Sequence, residues 1–293
     1  MTFGQLRLSS RSVTLAAVLV GMVSLAIGAH AALNKRSVEV ADALAVADDT
    51  TGSIAVKPPR VALVIGNGHY PDANEPLKQS INDARALTTI LRRDGFDVIM
   101  VEDANADDMR SAVRRLEAKI GPDTTALLFF SGFGIQSGRE SYMIPVDARI
   151  WKEADVRRDG LSVEAVLGAM KERSARVKLA VIDASRRNPY ERRFRSYSHG
   201  LAPINVPDNA LILSSATPGQ VVDESGGHNS LLMAELLKSL DTPNPDAEAV
   251  FGKTRAAVSH ASEGQQVPAV SSSLVQDVPF GSGTTTASRK AGS

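Results

Sequence analysis

One hydroxyl stands where a sequence of this kind could do chemistry. In "VIDASRRNPY" (181–190) an apolar run leads into Asp183, a small residue follows, and Ser185 precedes two arginines and a turn. A serine hydroxyl attacks an amide only when a base beside it takes its proton. The chain has five histidines to supply one. His69 follows the first apolar run and His228 lies in "ESGGHNS", so these two are the candidates. His199 and His260 fall in a long loop and a late helix, and His30 lies in an N-terminal leader. Ordinary surface histidines are the simpler reading of them all. Ser185 also lacks the G-x-S-x-G elbow of an α/β-hydrolase. With no cysteine in the chain, disulfides, thiolate metal sites and a thiol nucleophile are all excluded.

Other chemistries are weaker. "GNGHY" (66–70) lacks the lysine of a P-loop and the full G-x-G-x-x-G spacing, so nucleotide binding is not expected. No set of His, Asp and Glu has metal-ligand spacing, and no metal or other cofactor is predicted. The arginines in "RRNPYERRFRSY", Arg186, Arg187, Arg192, Arg193 and Arg195, read as a solvated loop rather than an anion site. Trp151 reads as a packing residue. A net charge of +0 gives no electrostatic case for nucleic acid.

The elements that must position Ser185 follow from periodicity. Apolar runs at 60–67, 97–103, 125–132, 176–184 and 210–216 read as strands, the first buried on both faces. Between them, 80–96 carries Ile81, Ala84, Leu87 and Leu91 on one helical face, and 105–121 carries Met109, Val113, Leu116 and Ile120. "SVEAVLGAMKERS", "NSLLMAELLKSL" and "DAEAVFGKTRAAVSHAS" are further helices, and 134–145 is a hairpin around Ser137-Gly138. Alternating strands and helices predict an α/β fold, a three-layer α/β/α sandwich around a mainly parallel sheet. Sites in such sheets form at the carboxyl ends of the strands, here "GNGHY", "SGFG" and "DASRRN".

The ends of the chain read differently. Arg7 and Arg11 precede an apolar run, and Ala29 and Ala31 form a small-x-small pair, so residues 1–32 are a signal peptide cut after Ala31 or an uncleaved membrane anchor. Either places the protein in the periplasm or otherwise outside the cytoplasm, free or membrane-anchored. Residues 33–59 are a flexible linker, 60–280 the folded domain and 281–293 a disordered tail.

The stretches "RVALVIGNGHY", "NDARALTTILRRDGFDV", "SGFGIQSGRESYMIPVDA", "LAVIDASRRNPYERRFR", "GLAPI" and "QVPAVSSSL" resemble, in order, bacterial caspase-like domains of the peptidase C14 and metacaspase type. The resemblance implies a caspase-like fold and cysteine endopeptidase ancestry. In that family the third strand ends in a small-Gly-His-Gly turn and the fourth in Asp-Ala-Cys. A caspase histidine lies about 50 residues ahead of its cysteine. The matching positions here are Phe133 and Ser185, 52 apart. Phe133 cannot move a proton, so the resemblance implies a pseudo-peptidase that binds a peptide or protein; a weak serine hydrolase using His69 or His228, or a scaffold with an inherited cleft, are the alternatives. It further implies that Asp83 and Asp183 line an acidic pocket for a basic side chain. Apart from the resemblance, Asp83 reads as a carboxylate near a helix N-terminus and Asp183 as a strand-end turn residue. Some metacaspases bind calcium, which the resemblance leaves open here.

Overall fold

The computed structural model describes residues 58–280 except 74, 188, 191–199, 223–225 and 244. The predicted leader, the tail and most of the linker lie outside these residues.

β1 (Arg60–Gly66), β2 (Asp97–Glu102), β3 (Thr125–Ser131), β7 (Val177–Asp183), β8 (Ala210–Ser214) and β9 (Ala269–Ser272) form one sheet in the order β2-β1-β3-β7-β8-β9. Every pair is parallel except β8 with β9. β3 and β7 are buried along their whole length, which explains their uninterrupted apolar sequence. Alternate residues serve the two faces. Leu63, Ile65, Leu128 and Phe130 pack with α2 (Ala106–Glu117) and α4 (Val163–Glu172). Ala62, Val64, Leu127 and Phe129 pack with α1 (Lys78–Arg93), α5 (Leu231–Leu240) and α6 (Ala247–Ala261). The result is the predicted three-layer sandwich.

A second, antiparallel sheet holds β4 (Gly134–Ser137), β5 (Glu140–Met143) and β6 (Leu161–Ser162). The hairpin is where the sequence places it. The short helix α3 (Glu153–Asp159) is not anticipated from periodicity, nor are β6 and the antiparallel edge β9. The N-terminal end of α3 is tied by Asp155, whose carboxylate accepts the Trp151 and Lys152 N–H groups and pairs with Arg158. Trp151 itself is 69% exposed, which corrects its reading as a packing residue: its N–H is engaged while its ring faces out.

Candidate functional site

The carboxyl ends of β1, β3 and β7 carry the loops that matter. Asn67, after β1, is fully buried; it accepts the Ala104 N–H and donates to the Ile144 carbonyl. The Tyr70 hydroxyl donates to Ile144 O at 2.9 Å and accepts the Phe133 N–H at 3.1 Å, and its burial pushes the phenol above its ordinary range. Its ring stands 4.6 Å from that of Phe133, in an apolar cluster with Ile135, Ile144 and Tyr190. Phe133 therefore sits in a dry seat, 4% exposed. The glycines around it are forced by crowding. A Cβ on Gly132 would lie 2.5 Å from the Tyr70 oxygen, and one on Gly134 would lie 2.7–2.8 Å from Leu201 and Ala184.

Ser185 follows β7 and is 1% exposed. Its N–H donates to Ser215 Oγ at 3.4 Å, and its carbonyl accepts the Val222 N–H at 2.6 Å. Arg186 and Val222 form an isolated parallel bridge, so the chain at 221–222 lies along this loop. Ser185 Oγ is buried without a hydrogen-bond partner. Neither candidate histidine reaches it. His69 Nδ1 is 2.5 Å from Asp103 Oδ2, beyond β2. Strand β1 lies between β2 and β3, so that imidazole is turned to the side of the sheet opposite β7. Three N–H groups, two backbone and one imidazole, hold the Asp103 carboxyl below its usual range despite the burial that opposes them. The His228 ring lies beside Asn82, and His199 lies outside the described residues.

The two predicted pocket acids are brought together. Asp83, in the second turn of α1, is completely buried. Its Oδ1 accepts the Asn229 amide at 2.8 Å and the N–H of Ser230, the N-cap of α5, at 3.1 Å; Oδ2 is buried without a partner. It thus serves the start of another helix rather than its own. Burial, and then the charge of Asp183, raise it to about 6.

Asp183 is already paired within the chain. Its carboxylate pairs with Arg186 at 3.0 Å, both side chains being about 5% exposed. The guanidinium also donates to the carbonyls of Asp183 and Gly132 and to Ser131 Oγ. The solvated-loop reading is therefore wrong for Arg186, because four acceptors at the ends of β3 and β7 replace its water. Arg187 is exposed as expected, and Arg192, Arg193 and Arg195 lie outside the described residues. No spacing signal distinguishes the buried arginine from its exposed neighbour. A cavity of about 430 Å³ opens beside the pair, walled by Gln79, Arg187, Gln220, Val222, Ser230 and Gln266 among others. Among the described residues no three His, Asp or Glu side chains are grouped to hold a metal ion.

The caspase domain family matches residues 59–279. Two curated proteins are similar over 133 residues, 45% of this chain. They are the human mucosa-associated lymphoid tissue lymphoma translocation protein 1, at 31% identity, and its mouse homolog, at 30%. The matched segment spans only 16% of either relative. The match across most of the chain agrees with the mainly parallel six-stranded sheet, and the chain belongs to the caspase-domain family, related to cysteine peptidases.

Proposed function

We propose that this caspase-fold protein lacks peptidase activity and acts by binding a peptide or protein over the carboxyl ends of β3, β7 and β8. The observation that carries the reading is Ser185 Oγ, buried and without a partner; buried Phe133, which the resemblance matches to the family's histidine, supports it. Attack on an amide needs a base at the nucleophile and an acid at the leaving amine. Neither Phe133 nor any described imidazole supplies them at this oxygen. Incubation of the purified protein with peptide libraries is expected to give no cleavage. Turnover that disappears in Ser185→Ala would overturn the reading.

A second reading, a weak serine hydrolase, would have to bring to Ser185 a histidine that does not reach it in the structure. The His69–Asp103 pair has the form of a base held by an orienting carboxylate. Labelling of Ser185 by a serine-directed covalent probe, abolished by His69→Ala, would establish it. The proposal also has the protein exported through residues 1–32. A mature N-terminus at Ala32 is the expected result; an intact N-terminus in the membrane fraction would mean an anchor instead.

A further inference from the structure

We propose that Arg186 is the resident occupant of the acidic pocket, so that Asp183 receives the chain's own guanidinium and the pocket turns away an arginine or lysine side chain from outside. The assignment rests on the binding reading above and changes its chemistry: the ligand side chain that enters beside β7 is not basic.

The geometry is that of an occupied site. The guanidinium is paired with Asp183 Oδ2 and donates to three further acceptors on β3, β7 and the loop after β3. Such multidentate contact is how an arginine is recognised by carboxylate and carbonyl oxygens. Asp83 is close enough for both Asp183 and Arg186 to act on its charge, and its Oδ2 is buried with no hydrogen bond. The Asp183 carboxylate already has its compensating charge in this guanidinium. The backbone of Arg186 is held as well, through its bridge to Val222 and the Val222 N–H bond to Ser185 O. Arg187 also lines the adjoining cavity. A basic ligand would have to break a buried ion pair to enter.

Removing the occupant should leave a guanidinium-shaped vacancy. The full chain, Arg186→Ala and Arg186→Ala/Asp183→Asn are unfolded by heat in increasing agmatine, a guanidinium on an alkyl stem that ends in an ammonium. Agmatine is expected to raise the midpoint of Arg186→Ala by several degrees, saturably, as binding to the folded state alone requires. It should leave the unmutated chain and the double variant unmoved. Saturable stabilisation of the unmutated chain that is lost in Asp183→Asn would show an open pocket and overturn the assignment. So would an Arg186→Ala protein that folds and ignores agmatine. The unmutated protein gives a reading that does not depend on the variant folding. Its Arg186 side-chain N–H resonance should be protected from exchange and unchanged by saturating agmatine, whereas displacement of that resonance would overturn the proposal. Because agmatine is the probe, a failure here is separate from a failure of the chain to bind peptides.

Discussion

Ser185 Oγ gave up its water on folding and gained no partner in return. A buried unsatisfied hydroxyl costs about 1–3 kcal/mol, so Ser185→Ala should raise stability by about 1 kcal/mol in urea unfolding. A loss of that size would mean the oxygen has a partner after all. Phe133→His is expected to act the other way. It puts a polar ring against Tyr70, Ile135 and Ile144 and should cost about 2–4 kcal/mol, even though histidine is the residue type that the resemblance implies there. Asp83 contributes a pH dependence. Its folded value of about 6 lies above the ordinary aspartate value of 3.8, so the folded state holds the proton more tightly than the unfolded chain does. Stability from this group is fully present below about 3.8 and is lost as pH rises through about 6. Asp83→Asn keeps the acceptor for Asn229 and Ser230 and removes the charge. Its stability relative to the parent should therefore rise between pH 4 and pH 7, by on the order of 2 kcal/mol. A difference independent of pH would sink this account.

At the scale of elements, helix starts are set by single side chains. Ser162 and Ser230 cap α4 and α5 by accepting the N–H three residues on. Ser230→Ala should cost about 1 kcal/mol in thermal or urea unfolding. The cost should be much the same when Asp83→Asn is already present, since the asparagine oxygen still accepts the Ser230 N–H. The five main parallel strands and the long helices were readable because their burial is continuous or periodic. α3 was not, since "EADVRRD" has no apolar stripe and is held by carboxylate caps and ion pairs. β9 was not, because its four residues are half-exposed or exposed and pair only on one side. The seats at 133 and 185 were legible through the family's spacing. The inward turn of Arg186 was not: a charged run gives no sign of which member finds acceptors, and only the meeting of β3 with β7 supplies them.

Across the whole molecule, the first strand is tied to the last residues of the domain. The Arg60 guanidinium donates to the carbonyls of Pro279 and Phe280, and lies over the Phe96 ring. Val278 and Phe280 are buried against the α1, α5 and α6 face. A chain of residues 58–280 should therefore unfold cooperatively within a few degrees of the full sequence, whereas stopping at Asp277 should cost about 3–5 kcal/mol through loss of the Phe280 side chain alone. Differential scanning calorimetry of the two lengths checks this. Such experiments will need circular dichroism or calorimetry for a further reason. The sequence has one tryptophan, and its ring is turned to solvent. Indole emission from the native protein should already resemble that of the dye in water, quench freely with iodide, and change little when the core melts. For the same reason it is well placed to report, by a blue shift, anything that settles on the surface next to α3.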